Sequence, residues 1–137
     1  MTPRVALVAA LVSALVLTGC AVPPAPPPAP AGLADLIERP AERALFDGIR
    51  AYDDGNYALA ETALRKALGS GPQDGLKSGR DRATAHKLLA FITCTSERVP
   101  ACEDEFRAAR QADPAFALTR AEAGHPLWGP VYRRVLP

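Results

Sequence analysis

The 137-residue sequence carries 14 prolines, 3 cysteines, and 16 Lys and Arg against 15 Asp and Glu, for a formal charge of +1. Charges this balanced exert no global pull toward nucleic acid or anionic lipid, and three cysteines are too few for a disulfide-dense toxin. The length suits one small domain with a remainder, and 48% hydrophobic but only 6% aromatic residues make the apolar content mostly Ala, Leu and Val, an arithmetic that also disfavours a polytopic membrane protein.

In residues 1–20 the only charge is Arg4, followed by an apolar run from Val5 to Leu17. A positive start and an apolar stretch too short to span a bilayer comfortably read as an export signal. The run ends in Leu17-Thr18-Gly19-Cys20, which resembles the lipobox of bacterial lipoproteins. The resemblance implies cleavage before Cys20, so that residues 1–19 are a signal peptide, and acylation of Cys20 itself. Two or three acyl chains anchor far better than one, since each buried methylene contributes roughly 0.8 kcal/mol. Loss of Arg4 leaves the remaining chain neutral.

Residues 20–32 join that cysteine to a tether. Six prolines fall between Ala21 and Gly32. Such a run lacks the amide donors for helix or sheet and favours an extended polyproline II rod, reaching on the order of 35–40 Å at about 3.1 Å per residue. Ala21 follows the lipidated cysteine where an Asp would retain a lipoprotein in the inner membrane of enterobacteria-like cells. By resemblance to that sorting rule, the expected location is the outer membrane, facing the periplasm.

Residues 33–137 read as all-α. Leu33, Leu36 and Ile37 form a short apolar lead-in before Pro40. A helix is expected over 41–53, with Ala44, Leu45, Gly48, Ile49 and Tyr52 on one stripe. Gly55 supplies a left-handed stop and Asn56 an N-cap for a second helix over 57–68, expected to bury Tyr57, Ala60, Leu64, Ala67 and Leu68. Gly69, Gly71 and Pro72 end it. A third helix over 82–94 is apolar nearly all round, as befits a helix covered on two faces in the middle of a stack. After Ser96–Pro100 a fourth runs over 101–112, presenting Cys102, Phe106 and Ala109.

The two helix pairs resemble the tetratricopeptide repeat. The first copy shows Gly48, the Gly55-Asn56-Tyr57 turn, Ala60, Leu64, Ala67 and Pro72 at the spacing of that consensus. The second shows Leu89, Ala90, Phe106, Ala109 and Asp113-Pro114, with Cys102 in the small-residue slot. The copies start about 42 residues apart, against a family period of about 34, and the extra residues fall in the Gly/Ser loop, where length is tolerated. Asp47 and His86 depart from the pattern, replacing a usual apolar and a usual large aromatic residue. Two repeats are fewer than such arrays need, so the Leu33–Ile37 lead-in and the C-terminal segment are expected to cap the stack. An unrelated four-helix hairpin fold is the alternative.

Cys94 and Cys102 lie at facing ends of one helical hairpin, in an oxidising compartment, so a disulfide fits the geometry. Two buried free thiols are the other reading; a redox pair or zinc site lacks the spacing. His86 reads as a packed imidazole, and His125 lies far from it in sequence. The acids sit mostly on solvated helix faces, as in Glu103-Asp104-Glu105. No nucleophile–base pair, metal-ligand set or phosphate loop assembles, so neither catalysis nor a cofactor is expected.

Thr119 to Glu122 fits a capping box opening a short helix, and Pro130 is placed to start a final one. Leu127, Trp128, Val131, Tyr132 and Val135 are expected to fold over the last repeat. Trp128, Tyr132, Arg133 and Arg134, with His125, are also candidates for a docking surface, since Trp, Tyr and Arg dominate binding hot spots. The lipobox, the tether, the cysteine pair, Phe106 to Phe116 and the Ala121–Val131 stretch Ala-Glu-Ala-Gly-His-Pro-Leu-Trp-Gly-Pro-Val together resemble the TssQ family of type VI secretion-associated outer-membrane lipoproteins. That resemblance implies a periplasmic tetratricopeptide-like domain associated with a contractile secretion apparatus. The expected role is a protein-binding adaptor or assembly factor with envelope proteins as partners and no nucleic acid. The alternatives are a pilot lipoprotein of another envelope complex and an envelope enzyme or its regulator.

Overall fold

The computed structural model describes residues 39–70 and 74–136, and among these six helices follow one another. They are α1 (Pro40–Asp53), α2 (Tyr57–Leu68), α3 (Gly79–Thr95), α4 (Val99–Ala112), α5 (Arg120–Ala123) and α6 (Gly129–Val135). No strand occurs among the described residues, and the expected all-α fold of helical hairpins is the one adopted. The signal segment, Cys20, the tether and the Leu33–Ile37 lead-in lie outside the described residues. α1 pairs with α2 and α3 with α4; α3 also packs on α1 and α2, and α6 on α4 and α5.

The two hairpin turns are built alike. After α1, the Gly55 amide donates to the Tyr52 carbonyl (3.0 Å) and the Asn56 amide to the Ala51 carbonyl (2.8 Å). This is the left-handed helix stop in which two orphan carbonyls are satisfied, and Gly55 takes the required positive φ of 74°. Asn56 then accepts from the Leu59 amide and starts α2. After α3, the Glu97 amide donates to Cys94 and the Arg98 amide to Thr93, the same two bonds. Here a glutamate, Glu97, holds the left-handed position at φ 59°.

Small residues let the first pair of helices close. A Cβ on Gly48 would lie 2.8 Å from the Leu64 side chain, so only glycine permits this approach, and Leu64 is completely buried. α3 runs through the middle as its all-round apolarity implies, with Ala83, Ala85 and all of residues 88–94 buried. The one polar member, Thr93, donates its hydroxyl to the Leu89 carbonyl at 2.7 Å and so costs the core no unpaired group.

Several local expectations are corrected. Tyr57 is 49% exposed rather than buried, because at the first turn of α2 its ring turns to Tyr52, 5.5 Å away between centroids. Leu68 is only half-buried, at the rim of the core. α3 begins at Gly79, ahead of the expected Arg82, because Ser78 caps it by accepting from the Asp81 amide. α4 begins at Val99, since Pro100 fits a first helical turn, whose amides lack helical partners anyway.

Candidate partner-binding surface

The C-terminal segment crosses the outer side of the second hairpin, and its sequence dictates the path. Asp113 ends α4, and its carboxylate accepts from the Ala115 amide in the turn that sends Phe116 and Leu118 into the core. Thr119 and Glu122 form the expected capping box, each side chain accepting from the other's amide. Gly129 and Pro130 open α6, which lays Val131, Tyr132 and Val135 on the core.

Trp128 is the centre of this segment. One face of its indole stacks on Phe91 of α3, with centroids 4.2 Å apart, and the other carries the His125 ring at 3.3 Å and nearly parallel. Its Nε1 donates to the Glu122 carbonyl at 2.9 Å. The His125 Nδ1 accepts from the Leu127 amide, which in the neutral ring leaves the proton on Nε2. Tyr132 sets its ring edge-on to Phe106 and Phe116, and its hydroxyl accepts from the Leu118 amide. Arg133 donates to the Ala123 carbonyl at 2.7 Å, and Arg134 pairs with Glu103 of α4.

Each of the five expected docking residues therefore has an internal partner. Trp128 and Tyr132 fold over the last hairpin as expected, while Arg133 and Arg134 stay exposed beyond their single tie. Leu127 is a correction. It is 53% exposed, because the turn that seats Trp128 on Phe91 points its neighbour outward. The free surface here is thus Leu127, the outer faces of the His125 ring, Arg133 and Arg134.

Charge pairs hold the segment and the hairpins together. Lys87 of α3 meets Glu122 at 2.7 Å. Burial alone would raise the Glu122 carboxyl, but its bonds from Lys87 and Thr119 outweigh burial and hold it below the usual range. Glu103, bonded by Arg134 and Arg107, is also lowered. A second chain of pairs crosses α2, α3 and α4. Glu61 accepts from Arg98 (2.7 Å) and Arg65 (2.8 Å), and the bond from Arg98 chiefly brings its carboxyl down to about 2. Arg65 reaches Glu105, which meets the His86 Nδ1 at 2.6 Å.

Two expectations change accordingly. His86 is set inward as expected, but it is bonded to a carboxylate rather than simply packed. Of the acidic run, only Asp104 stands in solvent, at 78% exposed; Glu105 is 13% exposed, and Glu103 is held by Arg107 of its own helix and by Arg134 of α6. The i, i+4 spacings of Glu61 with Arg65 and of Glu103 with Arg107 were the readable trace of this network.

The Sγ atoms of Cys94 and Cys102 are 2.08 Å apart, so of the two readings the disulfide is the one seen, joining the end of α3 to the start of α4. Among the described residues no group of three or more His, Cys, Asp or Glu side chains could hold a metal ion, and no helix is long and apolar enough to cross a membrane. No protein-family model, characterised protein or solved structure matches the chain.

Proposed function

We propose that this protein is a lipid-anchored adaptor of the bacterial outer membrane. Its helical domain, held in the periplasm by the proline tether, binds a component of a type VI secretion apparatus. The observation that carries the reading is the joint occurrence of the lipobox at Cys20 and the Ala121–Val131 box resembling the TssQ lipoproteins. The geometry supports a binding role for that box. Trp128 is clamped between two rings, so Leu127 and the guanidinium groups of Arg133 and Arg134 stand on a preorganised base and lose little freedom on docking.

Binding is tested by capture from detergent-solubilised envelopes. The wild-type protein is expected to recover a secretion component, and Leu127→Asp to lose it while remaining folded. Recovery of a different envelope assembly would favour the pilot-lipoprotein reading, and undiminished capture by Leu127→Asp would remove this surface from the account. Anchoring is tested by labelled palmitate, which Cys20→Ser is expected not to incorporate.

A further inference from the structure

A groove of about 750 Å³ runs along the outer side of the first hairpin, between α1 and α2. The nearly buried Ala44 and Ala51 line it, and Arg43, Asp47 and Arg50 of α1 with Asp54, its C-cap, form one rim. At 3.6 residues per turn these four fall in one narrow arc of the helix. All four are exposed, and none of their side chains makes an ion pair or hydrogen bond with another described residue. This contrasts with Glu61, Arg65, Arg98, Glu103 and Arg134, which are all paired.

The order of signs is informative. Along the rim it runs plus, minus, plus, minus. Arg43 and Asp54 stand equally far from a midpoint between residues 48 and 49, as do Asp47 and Arg50, and each such pair is opposite in charge. Two copies of α1 laid antiparallel about a two-fold axis at that midpoint set Arg43 against Asp54 and Asp47 against Arg50, each twice over. Within this ladder no like charges meet. An isologous interface requires this self-complementarity.

We propose that this face is a two-fold interface with a second copy of the chain, α1 and α2 of one protomer packing on those of its partner. The charge ladder sets antiparallel register more than it adds affinity, because exposed pairs are individually weak. The chain's own lead-in, with Leu33, Leu36 and Ile37, is the rival occupant, but its only charged residues over 33–38 are the acids Asp35 and Glu38. These could match Arg43 and Arg50, and would leave Asp47 and Asp54 facing no cation. The inference does not depend on the secretion reading.

The test uses two differently tagged full-length copies, co-expressed, solubilised in excess detergent and captured through one tag. Wild-type copies are expected to recover each other. Arg43→Asp/Arg50→Asp copies carry an all-acidic ladder and Asp47→Arg/Asp54→Arg copies an all-basic one; each is expected to lose self-capture by about ten-fold or more through like-charge contact. The acidic copy should recover the basic copy at the wild-type level, which also shows that both variants fold. Wild-type copies that ignore each other, variants that self-capture undiminished, or a mixed pair that fails to form would overturn the proposal. So would co-capture seen only between copies that lack residues 33–38, which would assign the groove to that segment.

Discussion

Among the described residues, the first hairpin buries alanines and leucines around Gly48, has no fully buried aromatic ring, and leaves Arg43, Asp47, Arg50 and Asp54 without an ion pair. The second is crossed by the Cys94–Cys102 bridge, filled by Phe91 and Phe106, and covered on its outer side by the segment carrying Trp128 and Tyr132. Both use the same turn and the same pairing of helices. The difference teaches that a short stack needs its two ends treated separately: one is finished by the chain itself, while the described residues leave the other open.

The contrast can be broken most severely at Phe106, which is completely buried against Phe91 and Tyr132. Phe106→Ala is expected to cost about 3–5 kcal/mol in urea unfolding and to detach the C-terminal segment. The fluorescence of Trp128, the single tryptophan, reports that detachment directly. Next in size is the bridge. Cys94→Ala/Cys102→Ala is expected to lower stability by about 2–3 kcal/mol, as closing so short a loop in the unfolded chain implies. Reductant should do the same to the wild type and nothing further to the variant.

The Glu61 network joins the two hairpins, so acid should sharpen the comparison. Its carboxyl is lowered from the usual 4.5 to about 2, chiefly by Arg98 and then Arg65. The stabilisation is therefore fully present above about pH 4.5 and lost as the pH falls through about 2. Because Arg65 and Arg98 are about half exposed, solvent screening reduces its size to about 1 kcal/mol. Glu61→Gln should be less stable than wild type at pH 6 and indistinguishable from it below pH 2, with added salt narrowing the gap. The smallest effect lies in the turns. Glu97→Gly relieves a left-handed glutamate and is expected to stabilise by about 0.5–1 kcal/mol, whereas Gly55→Ala, at the equivalent place, should destabilise by about 1 kcal/mol.

The helices, the Gly55-Asn56 turn, the central place of α3 and the capping box at Thr119 were legible because each rests on residues close together in sequence. Partnerships between helices were not. Glu105 reads as one of three solvated acids until α3 brings His86 opposite it and α2 brings Arg65. Tyr57 has the right character for a core position but sits on the first turn of α2, where Tyr52 offers an aromatic contact outside the core. In the C-terminal box, composition marked Trp128 and Tyr132 as docking candidates. It could not tell that their polar tips are occupied by Glu122 and Leu118, nor that Leu127 is the side chain left outside.

The division of labour between the two ends is tested most directly by photo-crosslinking in cells, with the crosslinker placed at residue 127 in one variant and at residue 47 in another. Position 127 is expected to trap a secretion component, and position 47 a second copy of the chain. Trapping of the same partner from both positions, or of a second copy from 127 and a secretion component from 47, would contradict the account.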